Sequence, residues 1–489
     1  MDERSNRPMK PNTMLDPVAS LTRSIYSRKP CCTAVFALCV GLGGLGSCAS
    51  VPDIDQNIGL MSATASKPAI IGARGPLTAQ QSKALLDRLS TQPGDAGVLQ
   101  RHVAIEEAVA ESPLIAGNRT RLLRDGPASF RAMFGAIQGA ADHINLEYFI
   151  FEDVESDGAH LGDLLVAKRQ AGVAVNVLYD SFGSSATPDA FFDRLEKAGV
   201  NVVEFNPVNP LETKAGYSPN QRDHRKILIV DGTTAIVGGV NISTTYQSNP
   251  PPAPSGAKPA EHWRDTDIQI DGPAVAQLQT LFLDTWSKQK GPPLALANMF
   301  PVVPAKGTAV ARILGSTPDN STPRYYVTLL SAMLNAEKSI KIAAAYFVPT
   351  PQEMENLTSA ARRGVDVRLV LSDVSDSGLS IAVAHSHYAE LLGAGVKIYE
   401  THDLVLHSKT VVIDGVWSII GSSNFDHRSV IFNDEVDAVI LGSETANELE
   451  AMFTEDQQGA KGIDLKTWSD RSLSQRMEEF FAIAWQKML

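Results

Sequence analysis

Apolar runs that end in polar turns recur along this chain and predict buried strands. Residues 226–230 (Lys-Ile-Leu-Ile-Val) and 409–413 (Lys-Thr-Val-Val-Ile) are both followed by Asp-Gly, as a buried strand is where it leaves the core through a turn. Two further apolar runs, Val173–Tyr179 and Val365–Leu371, each follow a helix-like stretch that ends at a glycine. Strands that alternate with helices favour an α/β architecture with parallel strand pairing.

Several of these patterns occur in both halves of the chain, which predicts a duplicated domain. The expected fold is two α/β/α domains, residues 113–290 and 308–489, joined by a Pro-rich linker at 291–307 and related by a pseudo-twofold axis. The matched segments are 171–175 with 363–367, 198–200 with 394–396, and 148–150 (Tyr-Phe-Ile) with 346–348 (Tyr-Phe-Val).

A His-x-Lys-x4-Asp motif occurs once in each half. Both copies place Lys two, Asp seven, Gly fourteen and Asn seventeen residues after His, without a gap. One copy would be a weak signal, but two gapless copies in matching halves exceed what chance produces. The members are His224, Lys226, Asp231, Gly238 and Asn241 in the first copy, and His407, Lys409, Asp414, Gly421 and Asn424 in the second.

The motif predicts chemistry on a phosphodiester. His and Lys two residues apart project from the same face of a strand, and Asn241 or Asn424 adds an amide donor for phosphate oxygens. Two copies face to face provide cations for the charged oxygens, one imidazole to attack phosphorus and another to protonate the leaving alkoxide. Asp231 and Asp414 are expected to hold the turn and the lysine of each motif rather than to react. We expect no metal ion and no other cofactor.

The doubled motif resembles the phospholipase D superfamily, and its surroundings resemble the bacterial cardiolipin synthase branch. The resemblance covers roughly residues 113–489. It implies phospholipase D-type domains with the active site between them, so that a monomer contains a complete site. The segments that carry the narrower resemblance are 144–150 (INLEYFI), 221–226 (QRDHRK), 263–265 (WRD) with 272–275 (GPAV), and 407–435.

The resemblance also implies an acidic residue behind each catalytic imidazole. Glu435 lies 28 residues after His407 and is expected to accept a hydrogen bond from its far nitrogen, which fixes the tautomer and stabilises the imidazolium. Aligning the two halves sets Asp265 opposite Glu435, and Asp267 opposite Asp437. The alternative is a surface carboxylate at the start of a strand.

The activity that the resemblance implies is phosphatidyl transfer at a membrane. One phosphatidylglycerol donates its phosphatidyl group to a histidine and a second accepts it, which gives cardiolipin and glycerol. The family favours His224 as the nucleophile, although the two copies are symmetric in sequence. The alternatives are a hydrolytic phospholipase D that releases phosphatidic acid, and a phospholipid-binding protein with a relic site.

Composition limits the partners. The chain has 489 residues, of which 44% are hydrophobic, which is enough for two cores. Its formal net charge is −12, and residues 1–47 hold six basic and three acidic residues, so the remainder is more acidic than the whole. Non-specific binding of nucleic acid depends on Lys and Arg. We therefore expect no nucleic-acid partner, which disfavours a nuclease.

The N-terminal segment is typical of an exported lipoprotein. Basic residues precede an apolar run, Cys31–Leu45, that ends in Leu-Gly-Ser-Cys, as in a secretory signal followed by a lipidation site. Residues 1–47 are expected to be a signal peptide and Cys48 the lipidated first residue of a periplasm-facing protein. Ala49 rather than Asp follows Cys48, and the resemblance to Gram-negative lipoproteins then implies export to the outer membrane. The alternative is an uncleaved anchor in the inner membrane.

Two further segments are expected to lie outside the domains. Residues 48–112 are predicted to be a linker with short helices, the first of which Thr78 would cap. Residues 247–262 are rich in Pro, Gly, Ser and Ala, which predicts a loop. Because the loop follows the first motif, one interpretation places it at the mouth of the pocket, and the alternative is disordered decoration.

Overall fold

The computed structural model describes most of the chain beyond residue 69, within the unit Gly46–Leu489. The predicted signal peptide, Cys48 and residues 248–262 lie outside the described residues. The described ranges are 70–90, 95–110, 112–208, 218, 220–247, 263–319, 323–402, 404–486 and 489.

The described chain forms an N-terminal segment and two halves of matching element order. The N-terminal segment contains β1 (Ile70–Gly72), β2 (Gly75–Pro76), α1 (Ala79–Arg88) and α2 (Asp95–Val109). The first half contains β3 (Leu114–Leu123), α3 (Gly126–Gly139), β4 (His143–Tyr148), β5 (Glu155–Ser156), β6 (Ala159–His160), α4 (Leu161–Gln170), β7 (Ala174–Asp180), α5 (Asp189–Lys197), β8 (Asn201–Phe205), β9 (Arg222–Asp223), β10 (Lys226–Val230), β11 (Thr234–Gly238), a 3₁₀ turn (Thr244–Tyr246), β12 (Trp263–Arg264), β13 (Asp267–Asp271) and α6 (Val275–Lys288). The second half contains β14 (Ala309–Ser316), α7 (Arg324–Leu334), β15 (Ser339–Ala344), α8 (Pro351–Arg362), β16 (Asp366–Ser372), α9 (Gly378–Ala394), β17 (Lys397–Thr401), β18 (Val405–Leu406), β19 (Lys409–Ile413), β20 (Trp417–Gly421), α10 (His427–Ile431), β21 (Asn433–Leu441), α11 (Ser443–Gln458), β22 (Lys461–Ile463), α12 (Leu465–Ser469) and α13 (Leu473–Ile483).

The predicted α/β fold with two related halves is confirmed, and each half is built on a mixed sheet. The strand order is β8-β7-β4-β10-β11-β13-β3 in the first half and β17-β16-β15-β19-β20-β21-β14 in the second. The first three strands of each order are parallel, as predicted, whereas the motif strands β10 and β19 are antiparallel to their neighbours. Antiparallel pairing of β3 with β14 joins the two sheets.

The Asp-Gly turns explain why the motif strands are antiparallel. Asp231 and Gly232 have φ of 51° and 62°, and Asp414 and Gly415 have φ of 55° and 68°. Two successive residues with positive φ are typical of type I′ turns, which join adjacent antiparallel strands. Parallel neighbours need a longer crossover connection, so the motif strand and the next strand form a hairpin.

The motif strand is apolar throughout because it is buried on both faces. Leu228 packs in the core of the first half with Phe130 and Leu146. Ile227 and Ile229 face the other way, into a third cluster that both halves share. A continuous apolar run is the pattern expected of a strand covered on both sides. The shared cluster holds the two halves together behind the motif strands.

Strand register corrects one of the predicted repeat matches. The strand residue paired with the motif lysine is Tyr148 in the first half and Ala344 in the second. Tyr346 therefore corresponds to the isoleucine two residues after Tyr148, and the match of 148–150 with 346–348 is wrong by two residues. The two halves share the pair Tyr-Phe by coincidence. Residues of the two halves are equivalent when they occupy the same position in the strand pairing, and these two pairs do not.

The N-terminal segment packs on the body. Strand β1 pairs in parallel with β3, and α2 packs against α7. Thr78 caps α1 as predicted, in a capping box with Gln81. Across the described ranges, no helix combines the length and the apolar character needed to cross a bilayer.

Candidate active site

Short strand pairs between the halves position both motif histidines. Strand β9, just before His224, pairs in parallel with the start of β21, and the His224 backbone N–H donates to the Asp434 carbonyl at 2.9 Å. In the same way β18 pairs with β12, and the His407 N–H donates to the Arg264 carbonyl at 2.7 Å. Each histidine is therefore placed beside the acidic segment of the opposite half.

Glu435 lies behind His224. Its carboxylate oxygens are 3.0 and 3.1 Å from His224 Nδ1. Three side chains of its own half also donate to this carboxylate: Ser422 Oγ at 2.5 Å, Ser429 Oγ at 2.8 Å and Asn433 Nδ2 at 3.3 Å. The carboxylate is thus held from several directions, which fixes the imidazole with Nδ1–H toward Glu435 and Nε2 free for substrate.

Asp265 lies behind His407 in a different environment. Its Oδ2 is 2.6 Å from His407 Nδ1, and its Oδ1 accepts the Thr266 N–H at 2.7 Å. Lys409 Nζ is 3.6 Å from the same carboxylate and 2.8 Å from His407 Nδ1. The hydroxyl of Tyr246 is 3.0 Å from Nδ1 as well. Two oxygen atoms, one from Asp265 and one from Tyr246, therefore lie within hydrogen-bonding distance of His407 Nδ1.

These contacts correct the predicted partner of Glu435. It was expected to orient His407 of its own half, but it hydrogen-bonds His224. Asp265 takes the role at His407. The prediction that each imidazole has a carboxylate partner is confirmed, and the pairing is exchanged because the β9–β21 and β12–β18 pairs cross between the halves.

The predicted alignment of the two acids is confirmed by strand register. Gly238 pairs with Asp267, and Gly421 pairs with Asp437, so the acids two residues earlier occupy equivalent positions. The register also explains the motif glycines. A Cβ on Gly238 or Gly421 would overlap the carboxylate of Asp267 or Asp437, respectively. The glycine fourteen residues after His is thus required by a buried aspartate.

The two motif lysines are buried and point back toward their histidines. Lys226 Nζ donates to the His224 carbonyl at 2.6 Å, and Lys409 Nζ donates to the His407 carbonyl at 2.5 Å. Burial lowers the pKa of Lys226 to about 7, and it also lowers the pKa of Lys409. Lys226 Nζ lies 5.4 Å from the centre of the Phe149 ring. Anionic substrate oxygens would favour the charged form of both ammonium groups.

Burial lowers the pKa of both imidazoles. The pKa of His224 falls below its usual value although Glu435 opposes the shift. The pKa of His407 falls to about 4, because burial and Lys409 outweigh Asp265. Burial would raise the pKa of Asp265, but Lys409 and His407 lower it below its usual value. Neutral imidazoles beside ionised carboxylates are ready to bind and attack an anionic diester, whose charge then raises both imidazole pKa values.

Asp231 and Asp414 hold backbone rather than substrate. Asp231 accepts N–H groups of residues 141–143, and Asp414 accepts those of residues 337–339. The predicted role in the turn is confirmed. The predicted contact with the motif lysine is wrong, because each aspartate lies at the opposite end of the motif strand from His and Lys.

The two motif asparagines are buried. Asn241 Oδ1 accepts the Ile150 N–H at 3.2 Å. The Asn424 N–H donates to Ser429 Oγ at 3.0 Å, and Asn424 Oδ1 is buried with no partner among the described residues. Their role as donors to phosphate oxygens stays a prediction.

Sequence reasoning missed most of the residues that surround the histidines. The signal for Ser422 and Ser429 was present, since both lie in the polar segment after a predicted strand. Aromatic residues also surround the histidines, and no role was predicted for them although three of the four lie in segments that the repeat or the family resemblance includes. They are Phe149, whose ring centre is 5.1 Å from that of His224, and Trp263, Tyr346 and Tyr246, whose ring centres are 4.8, 5.7 and 6.0 Å from that of His407.

The chain is similar to known proteins along most of its length. A family described as cardiolipin synthase, PLD-like domain, matches residues 133–250 and 329–457. The chain is 34% identical to a cardiolipin synthase of Geobacillus sp. (strain WCH70) over 76% of this chain and 72% of the relative. It is 32% identical to cardiolipin synthase 1 of Bacillus anthracis over 78% and 75%, respectively. The crystal structure of a phosphatidylserine synthase from Haemophilus influenzae Rd KW20 shares the fold, with a TM-score of 0.60 and 12% identity over 80% of this chain and 97% of that one.

Proposed function

The chain belongs to the cardiolipin synthase family of phospholipase D-like proteins, and we propose that it joins two phosphatidylglycerol molecules into cardiolipin and glycerol. The observation that carries the proposal is the crossed pair of imidazoles. Each has a buried carboxylate at Nδ1 and a buried lysine beside it, at the junction of the two halves. This arrangement suits a two-step displacement at phosphorus.

In the first step, one imidazole attacks the phosphodiester. His224 Nε2 forms a bond to phosphorus, the bond from phosphorus to the glycerol oxygen breaks, and the imidazolium of His407 gives its proton to the departing oxygen. Glu435 stabilises the positive charge that develops on His224. Lys226 and Lys409 stabilise the charge on the non-bridging oxygens.

In the second step, the phosphatidyl group moves to the acceptor. His407, now neutral, takes the proton of a hydroxyl on the second phosphatidylglycerol, whose oxygen attacks phosphorus while the bond to His224 breaks. Asp265 stabilises the imidazolium that reforms on His407. The assignment of His224 as nucleophile follows the family and the firmly held Glu435.

The products formed from labelled phosphatidylglycerol in mixed micelles test the proposal. Mass spectrometry should find cardiolipin and glycerol in equal amounts. Phosphatidic acid alone would identify a hydrolase, and no turnover would favour a phospholipid-binding protein. Quenching during turnover and mapping the phosphatidylated peptide should place the label on His224, and label on His407 would reverse the two roles.

We further propose that the mature protein is a periplasm-facing monomer tethered through lipid on Cys48, with the outer membrane favoured. Support comes from the Leu-Gly-Ser-Cys ending of the apolar N-terminal run and from Ala49 after it. Cys48→Ser should block lipidation and cleavage and leave a longer chain that still acts on micellar substrate. A mature N-terminus at Met1 or Met14, found by mass spectrometry, would contradict the lipoprotein and leave an inner-membrane anchor.

A further inference from the structure

The C-terminal helix α13 exposes an apolar face. Leu473, Met477, Phe480 and Phe481 are 74%, 51%, 71% and 60% exposed, respectively. Their spacing of four, seven and eight residues from the first places them on one side of the helix. Helices of soluble domains normally turn such a stripe toward the core. Here the stripe faces outward, and a group of large apolar side chains on one surface marks an interaction site.

The opposite face of α13 is attached to the protein. Glu479 is 5% exposed and accepts hydrogen bonds of 2.7 and 2.6 Å from Arg471. Ala482 packs in a small buried cluster with Val348 and Val383. The fold therefore holds the side of the helix that carries a charge against the body, and this attachment is what leaves the apolar side exposed.

The helix is also attached to the segments that border the second half-site. Gln486, just after α13, donates through Nε2 to the Pro349 carbonyl at 2.7 Å. Pro349 lies three residues after Tyr346, whose ring packs against His407. The C-terminal end of α13 is thus attached three residues from a side chain that packs against His407.

Local charge indicates what kind of surface this face fits. Residues 464–482 contain three basic and four acidic side chains, so the face presents no excess of positive charge to anionic headgroups. Contact through this face would draw its free energy from apolar burial, which depends little on headgroup charge or salt.

We propose that the exposed face of α13, together with Trp485, inserts into the surface of a lipid bilayer and holds the active site against it. This proposal rests on the proposed function. A phospholipid whose phosphodiester reaches His224 and His407, which are 9% and 5% exposed, keeps its acyl chains in the membrane beside the pocket. The bilayer must then meet the protein at the pocket edge, where α13 is attached.

Activity on two forms of substrate tests this docking with the full chain. The variant Phe480→Ser/Phe481→Ser should lose at least about tenfold of its activity on phosphatidylglycerol vesicles. It should keep its activity within about twofold on short-chain phosphatidylglycerol below its micelle concentration, because a dissolved substrate needs no docking. The matched control is Leu296→Ser/Val302→Ser, which changes residues that are 59% and 93% exposed in the linker and should leave both activities unchanged.

Trp485 provides a readout that does not depend on catalysis. It is 44% exposed, and vesicles with brominated acyl chains should quench its fluorescence equally in zwitterionic and anionic lipid. The variant Trp485→Phe should lose most of this quenching. Inactivity of the wild-type protein on both substrate forms would refute the proposed function and leave quenching as the test of docking.

Three results would overturn the docking proposal. The first is equal quenching of wild type and Trp485→Phe, which would show that this face stays out of the bilayer. The second is an equal loss of both activities in the double Phe variant, which would mean a structural role. The third is a wild-type dimer in light scattering that the variant converts to a monomer, which would identify the face as a subunit interface.

Discussion

The two half-sites share one motif but differ in what surrounds each histidine. Glu435 behind His224 is held by two serines and an asparagine, whereas Asp265 behind His407 is held by a backbone N–H and faces Lys409. The comparison teaches that a duplicated motif determines which catalytic side chains are present. The residues around them determine how firmly each carboxylate and imidazole is held and at what pH it titrates.

The two half-sites also differ in the residue that follows the motif glycine and lies against the acid. Ser422 donates to Glu435, but its counterpart in the first half is Gly239, where a Cβ would overlap the Asp265 carboxylate. A serine therefore suits the longer Glu and a glycine suits the shorter, closer Asp. Each acid and its neighbour form a matched pair, so the two half-sites are not interchangeable.

Removing either imidazole should have the largest effect and should erase the difference between the half-sites. His224→Ala and His407→Ala should each lower kcat by at least about a thousandfold, because each ring has its own role in bond formation or proton transfer. Product formation from labelled phosphatidylglycerol measures the loss, and circular dichroism confirms folding. Substantial turnover by either variant would contradict a shared site.

Neutralising the carboxylates should reveal the asymmetry. Glu435→Gln should lower kcat by about a hundredfold and Asp265→Asn by only about tenfold. The reason is that the Tyr246 hydroxyl lies 3.0 Å from His407 Nδ1 and can replace Asp265 as acceptor, whereas no second oxygen acceptor contacts His224 Nδ1 among the described residues. The double variant Asp265→Asn/Tyr246→Phe should bring the loss at His407 up to that of Glu435→Gln. Equal losses in the two single variants would remove the asymmetry.

Lys226, the motif lysine without a carboxylate ion pair among the described residues, should make activity depend on pH. Lys409 lies near Asp265, whereas among the described residues no carboxylate forms an ion pair with Lys226. Because burial lowers the pKa of Lys226 to about 7, the free enzyme loses this cation as pH rises through that value. The ratio kcat/KM should then fall about tenfold per pH unit above it. In Lys226→Arg the activity should be lower, but the fall of kcat/KM at high pH should move to higher pH, since guanidinium stays charged. If the fall of kcat/KM stays at the same pH in this variant, another titrating group causes it.

The turn aspartates should differ in stability with little effect on turnover. Asp414 accepts a hydrogen bond from buried His102 Nε2 at 3.1 Å in addition to its backbone donors. Asp414→Asn should therefore cost about 1–2 kcal/mol more in free energy of unfolding than Asp231→Asn. Because the pKa of Asp414 is lowered by His102 and the backbone despite burial, this difference should be present at neutral pH and vanish as pH falls through that pKa. Urea unfolding measures both variants, and a His102→Ala background should remove the excess.

The sequence by itself determined the doubled chemistry and the local framework. Identical spacing in two halves identified the histidines, the lysines and the turn aspartates, and continuous apolar runs before Asp-Gly identified the buried motif strands. These signals are local, because a run of adjacent apolar residues indicates a buried strand and an adjacent Asp-Gly pair favours a hairpin turn.

Only the tertiary structure decided which acid serves which histidine. His224 and Glu435 are 211 residues apart, and His407 and Asp265 are 142 apart. The strand pairs that bring them together cross between the halves. In a pseudo-symmetric molecule, pairing within a half and pairing across halves use the same residues at the same spacing, so sequence cannot distinguish them. The aromatic rings around His407, the contact of His102 with Asp414 and the outward face of α13 depend in the same way on packing between distant segments.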